Sequence, residues 1–528
     1  MRERDFFVGR SAAIAENGMA ASAHPLATLT ALDVLRAGGN AVDAAIAAMA
    51  HLCVIEPHST GIGGDAFAIL AKEGAAPIGL NGSGRAPAAA TLDWYREHGI
   101  AEIEVPTAHA VTVPGAVDAW CRLHADHGSK PLEELLAPAI RSAREGFVLT
   151  PRVAHDWARL VDKLAIDPVT AARFLPGGRA PRVGERFVQP ELARTFEAIA
   201  RYGRAGFYES WVAEDLVARL KARGGLHETA DFAANAPTYV DPIAVAYRGY
   251  EVLELPPNGQ GLIAQIMLNV LAGYDLAGGG YGEADRIHLL AEAAKAAYAR
   301  RDALVGDPAF VDVPVERLLS AAEAERIRAR IRLDRAAPRD AAAAFVHSDT
   351  TYLTVVDRDR TAISFINSLF SGFGSGIMGR ESGVMLQNRG SSFRLIEGHP
   401  NAIAPNKRPM HTIIPGLLAQ GGAGVMPFGV MGGHYQPVGH TQLVSRMLDD
   451  GLDPQEALAW PRSFAFAGEL RLEPTVGEAV AADLQNRGHH VQWLDTPVGG
   501  GQAIWIDRQR GVLIGGSETR KDGCALGY

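Results

Sequence analysis

Cysteine is scarce: Cys53, Cys121 and Cys524 are the only three in 528 residues. A small, odd number argues against a disulfide framework and a cysteine metal cluster. Aromatics are few, at 7%, and no apolar run approaches the roughly 20 residues of a membrane span. The opening Met1-Arg2-Glu3-Arg4-Asp5-Phe6-Phe7 has no hydrophobic stretch of signal-peptide length. Charge of one sign is thin as well. A net of −9 over this length argues against nucleic acid or an anionic membrane as partner. These absences make the cytoplasm the default expectation and say little about a small substrate.

What is there is an ordinary globular balance, 47% hydrophobic and 21% charged, in a chain long enough for one large domain or two to four smaller ones. The most organised stretch runs from Ser348 to Gly376. Thr350 and Thr351 lead an alternating strand in which Tyr352, Thr354 and Val356 face one way and Leu353, Val355 and Asp357 the other. Asp357-Arg358-Asp359-Arg360 makes a turn and Ala362 to Leu369 runs back. Gly372-Phe373-Gly374-Ser375-Gly376 then uses backbone that glycine adopts freely. A threonine heading a strand is ordinarily a good strand residue. It becomes a nucleophile when a base lies beside its hydroxyl. Cleavage in front of Thr350 would supply that base, because a free α-amine has a pKa of about 7.7–8.0. In the uncut chain the same hydroxyl would attack the Asp349 carbonyl, shift the acyl group from nitrogen to oxygen, and leave an ester for water to open.

The pattern predicts further elements. Met19 to Ala27 opens a helix with Leu26, Leu29, Leu32 and Leu35 on its apolar face. Gly38-Gly39 ends it, and Asn40 caps an alanine-rich helix from Ala41 to about Cys53. Gly61-Ile62-Gly63-Gly64 lies between that helix and a strand, Ala66 to Leu70, the reverse of the order in a dinucleotide site. Its glycines serve either tight packing or ligand contact. Residues 111–163 read as helical, Pro256 to Gly261 as a loop opening a helix, His288 to Arg301 as a helix, and Glu316 to Asp340 as a charged surface helix and loop. Glu381 to Phe393 reads as a strand and turn, and Lys407 to Pro415 as the start of another strand. Phe428 to Met431 is a strand entering Gly432-Gly433, followed by a helix from about Val438 to Asp450. Two glycine N–H groups near a helix N-terminus suit a developing oxyanion. His434 and His440 have no third ligand at recognisable spacing, so no metal is expected. His411 is open between a carbonyl-bonded strand histidine and a site residue.

These blocks, in this order from Gly18 to Tyr528, resemble the γ-glutamyltransferase (γ-glutamyltranspeptidase) family of N-terminal nucleophile hydrolases. The resemblance rests on T-T-Y-L-T-V-V-D and F-G-S-G in the hairpin, L-R-A-G-G-N-A-V-D-A-A at 35–45, E-P-H-S-T-G-I-G-G at 56–64, V-P-G at 113–115, and the Gly-Gly turn. It implies an α+β fold, a four-layer αββα sandwich of two stacked antiparallel sheets. It also implies a cut between Asp349 and Thr350 into a large chain, 1–349, and a small one, 350–528. The two would form one intertwined domain as a heterodimer, and a dimer of heterodimers is compatible with it. Thr350 would be the catalytic threonine, and Gly432 and Gly433 the oxyanion donors, with no cofactor. Ser368 takes the place of a family threonine that bonds the amine and nucleophile; a plain polar strand residue is its other reading.

The residues for the substrate's head group depart from the family. An Asp that holds an ammonium in N-N-Q-M-D-D-F is Ser392 in Gln387-Asn388-Arg389-Gly390-Ser391-Ser392-Phe393. A Ser-Ser pair is His411-Thr412, and Ser83 stands where a carboxylate-binding Arg is found, with Arg85 two places on. Arg389 replaces a neutral amide. A serine cannot stabilise an ammonium and Arg389 would repel one, whereas a guanidinium holds a carboxylate through two parallel bonds. The expectation is a hydrolase of a small carboxylate-bearing amide, similar to the oxamate amidohydrolases and the glutaryl- or cephalosporin-acylase-like members. Arg389, Ser392, His411, Thr412 and Arg85 are its binding candidates. The short loop from Phe393 to Pro405 favours hydrolysis over transfer. A true γ-glutamyl transferase and glutathione hydrolase, and an unprocessed binding protein, are the alternatives. Retention of Thr350, Gly432 and Gly433 together weighs against the last.

Overall fold

A computed structural model describes residues 9–338 and 350–528. Alternation along its strands sorts the apolar side chains into three layers. In strand Thr351–Val356, Tyr352 and Val356 enter a core with Phe67, Ile69, Ile366, Leu417 and Ile504. Leu353 and Val355 enter another, with Ile363, Phe365 and the alanine-rich helix Ala41–Ile55. A third core joins Leu418, Phe428 and Val430 to helices Gly261–Leu271, Glu283–Leu304 and Gln436–Asp450. The order is helices, sheet, sheet, helices, the four-layer αββα sandwich expected from the sequence.

Both large sheets have seven strands. One runs, in space, Ala13–Ala15, Val512–Ser517, Gly500–Asp507, Ala423–Met431, Gly416–Gln420, Tyr250–Glu254, Ile243–Tyr247. The other runs Cys524–Gly527, Met19–Ser22, Thr351–Val356, Ala362–Ser368, Asp65–Ala71, Ile78–Gly82, Thr238–Val240. Every pairing in them is antiparallel. Each mixes strands from before residue 339 with strands from after residue 349, so the two parts of the chain share both cores. Among the described residues no helix is long and apolar enough to cross a membrane.

The central hairpin pairs Thr351 with Asn367 through to Val356 with Ala362. Its turn is held by Asp357, whose carboxylate accepts the N–H groups of Asp359 and Thr361 and, through its other oxygen, that of Ala41 at the start of helix Ala41–Ile55. Asn40 caps that helix in a reciprocal box with Asp43.

Three expectations need correction. Met19–Ser22 is a strand, not the opening of a helix. Its small side chains fit between Thr351–Val356 and Cys524–Gly527, and the helix begins at Pro25, with Leu26 and Leu29 facing outward. Residues 381–393 form no strand. They make single bridges, Gly63 to Leu386 and Met378 to Met385, then a 3-10 turn at Arg389–Ser392. Residues 407–415 are irregular, with one bridge from His411 to Gly259, and the strand starts only at Gly416. Buried side chains in these segments bond elsewhere in the fold, Gln387 and His411 to Asp65 and Arg389 to Thr412.

Candidate active site

Thr350 lies immediately before its strand, and Ser368 ends the neighbouring one. Their hydroxyl oxygens are 3.0 Å apart, and both residues are buried. The Ser368 oxygen also accepts the Phe370 N–H (2.8 Å). Thr351 donates to Glu56, the residue that closes helix Ala41–Ile55. Burial pushes the Glu56 carboxyl above its usual range. Gly64 backs the site: a Cβ there would sit 2.2 Å from the Ser368 carbonyl oxygen, so at that glycine the packing reading prevails.

Two contacts fix which ends of the facing sheets meet. A Cβ on Gly429 would lie 2.4 Å from the Tyr352 ring. Ser364, register partner of Thr354, donates to the Phe428 carbonyl (3.1 Å). Numbers fall along one strand as they rise along the other. Thr350 is therefore at the same end as the turn after Met431, and the rings of Phe370, two residues past Ser368, and His434, next to Gly433, are 6.5 Å apart. In that turn Gly432 has φ +116° and Gly433 φ +56°, conformations that glycine supplies at little cost. Helix Gln436–Asp450 follows, so the turn's amides lie at the positive end of a helix dipole.

Arg389 is fully buried. Its Nη1 donates to Thr412 Oγ1 (2.8 Å), and its guanidinium carbon lies 3.9 Å from the centre of the Phe370 ring. Nε and Nη2 have no hydrogen-bond partner among the described residues. Burial pushes its pKa down to about 9, with Asp65 opposing, so it is a cation at neutral pH. Two buried, unpaired N–H donors on one planar fork match the two oxygens of a carboxylate.

His411 accepts the Ile413 N–H at Nδ1 (3.3 Å), so Nε2 carries the proton and donates to Asp65 (2.9 Å). The other Asp65 oxygen takes Gly84 N–H, Gly115 N–H and Gln387 Nε2. His411 is thus a buried neutral group orienting the segment that carries Thr412. Burial holds its pKa at about 4, with Arg389 adding to the shift. The unfolded imidazole, near 6.5, binds its proton first as pH falls. The His411 contribution to stability is therefore full above pH 6.5 and lost between about 6.5 and 4, by on the order of 1 kcal/mol per pH unit. The gap in melting midpoint between wild type and His411→Asn should narrow from pH 7 to pH 5; a constant gap would contradict this protonation state.

The remaining candidates are placed differently. Ser392 donates to the Arg389 and Met410 carbonyls, so its hydroxyl fixes the turn that carries Arg389. Arg85 donates to the Asn406 carbonyl and stands 4.0 Å from Asp307. Asp349 lies outside the described residues. His440 is held by Glu254 and Val430, and His434 by Arg301, so these two histidines serve different partners.

Sequence reasoning missed Asp65, Glu56 and Gln260. The Gln260 amide donates to the carbonyls of both Thr412 and Gly433 (2.8 Å each), while its oxygen takes Arg301 Nη1 (2.9 Å). It clamps the Gly-Gly turn to the segment that holds Arg389. The only sequence signal was its place in the loop Pro256–Gly261.

Comparisons with known proteins cover nearly the whole chain. The family description Gamma-glutamyltranspeptidase matches residues 27–528. A glutathione hydrolase-like YwrD proenzyme of Bacillus subtilis is 38% identical, over 96% of this chain and 98% of its own. An oxamate amidohydrolase proenzyme of Klebsiella pneumoniae is 34% identical, over 98% of this chain and all of its own. The crystal structure of a cephalosporin acylase from Bacillus halodurans superposes with a TM-score of 0.92 at 40% identity, covering 100% of this chain and 99% of that one. With a fold, a threonine-headed hairpin and a match of this extent in agreement, the chain belongs to the gamma-glutamyltranspeptidase family of N-terminal nucleophile hydrolases.

Proposed function

We propose that the chain cuts itself between Asp349 and Thr350 and then hydrolyses the amide bond of a small substrate whose acyl half carries a carboxylate. The observation that carries the substrate reading is Arg389, buried, charged, and with Nε and Nη2 unpartnered among the described residues. Leaving such donors empty costs about 1–3 kcal/mol each, a cost a bound carboxylate removes. The proenzyme names of the relatives support the self-cleavage. The products, 1–349 and 350–528, stay together as a heterodimer because each sheet takes strands from both. We read it as a cytoplasmic enzyme, a reading the three free cysteines support.

In processing, Thr350 Oγ1 attacks the Asp349 carbonyl. The peptide nitrogen leaves as the new α-amine and water opens the ester, freeing the Asp349 carboxylate. In turnover that amine takes the Thr350 hydroxyl proton as Oγ1 adds to the substrate carbonyl. The N–H groups of Gly432 and Gly433 hold the oxyanion. The proton passes to the departing amine, and an ester to Thr350 remains. Water, deprotonated by the same amine, releases the acid. Ser368 orients the Thr350 oxygen, and Arg389 fixes the acyl group so that its carbonyl meets both.

A substrate panel tests this reading. Glutaryl anilide and oxamate should outperform γ-glutamyl anilide, whose ammonium Arg389 repels, and hydrolysis should exceed transfer to glycylglycine. A γ-glutamyl preference with dominant transfer would replace this reading with a true transpeptidase.

A further inference from the structure

We propose that His288, Glu292 and His489 form a site for a zinc-type divalent ion that bridges the large and small chains. His288 and Glu292 are one turn apart on helix Glu283–Leu304 and project from the same face. His489 comes from the loop after helix Glu478–Asn486, 201 positions from His288. All three are buried, and one donor atom from each lies within 4.8 Å of the others. The set is two imidazoles and a carboxylate, which suits zinc.

The tautomer is already set for binding. His288 Nε2–H donates to the Arg332 carbonyl (2.8 Å), which turns the Nδ1 lone pair inward to His489 Nε2 (2.7 Å). An outer carbonyl on the far nitrogen is how metal-bound histidines are oriented. Nitrogens sharing a zinc at about 2.0–2.1 Å each would sit about 3.4 Å apart, so the rings must part by about 0.7 Å. Without the ion they share one proton instead.

Glu292 has a rival partner. Lys295 Nζ is 2.6 Å from one carboxylate oxygen, and the Ala337 N–H takes the other at 3.0 Å. Lys295 is 27% exposed and lines the cleft shared with His489, Tyr298 and Phe466. It can withdraw into that cleft when a doubly charged ion arrives. The same cleft reaches His489 and would be the route for a water as fourth ligand. His288 and Glu292 precede the processing point and His489 follows it. An ion here would tie the two chains across the loop Arg332–Ala337, which folds over the trio.

Untagged, processed protein stripped of metal should take up one equivalent of zinc in competition with a chromophoric chelator, and its melting temperature should rise with zinc. Cobalt should give the visible absorption of a four-coordinate nitrogen–oxygen site. His288→Asn and His489→Gln should each weaken zinc more than tenfold. Lys295→Met, which removes the competing ammonium, should tighten it; a gain in affinity cannot come from a folding defect. No saturable uptake by either wild type or Lys295→Met, or uptake that survives both histidine changes, would overturn the proposal.

Discussion

Thr350→Ala stays in one piece on a denaturing gel, where the wild type gives two bands of about two-thirds and one-third of the chain, the smaller beginning at Thr350. Activity falls by at least about four orders of magnitude, the scale for loss of a covalent nucleophile. The reason is that in the proposed mechanism one oxygen serves both reactions. It sits 3.0 Å from the Ser368 hydroxyl, just before a strand buried along its length, and the Ser368 oxygen is already the acceptor of the Phe370 N–H. The neighbour, Thr351, has its hydroxyl on Glu56 and cannot take over. Thr350→Ser keeps the oxygen and should still cut. N-terminal sequencing of the small band decides the matter: cleavage of the alanine variant at the same bond would remove Thr350 as the agent of processing.

The sequence made the frame legible where chemistry is local. Thr350, the turn at Asp357 and the Gly432-Gly433 pair all announce themselves through residues a few positions apart. Arg389 was legible through mismatch, as a charge in a run where the family carries a neutral amide. Partners distant along the chain were not. Asp65 meets His411 across 346 positions, and Gln260 meets Gly433 across 173; no periodicity encodes such pairs. Ser392 and Arg85 were plausible by type, and the structure adds that each also bonds a nearby carbonyl. The leucine face from Leu26 onward does not reveal that Met19–Ser22 before it is a strand. That strand's burial between two others decides its conformation.

Arg389→Ala should lower kcat/KM on the best carboxylate-bearing amide by about 10²- to 10⁴-fold, the loss of two charge-assisted hydrogen bonds at about 1.5–3 kcal/mol each. Most of it should appear in KM, since the carboxylate is held equally in the bound substrate and the transition state. Arg389→Lys should recover little, because a point charge on a flexible stem cannot present the parallel pair. Self-cleavage should be spared in both variants, since the Asp349–Thr350 bond makes no use of the acyl anchor, so two normal bands on the gel separate lost recognition from lost folding. The loss should also be selective, being much smaller on an amide whose acyl group lacks the carboxylate. If Arg389→Ala kept normal activity on the best substrate, the carboxylate would be held elsewhere. Arg408, buried and donating to the Ser83 carbonyl, would be the next guanidinium to change.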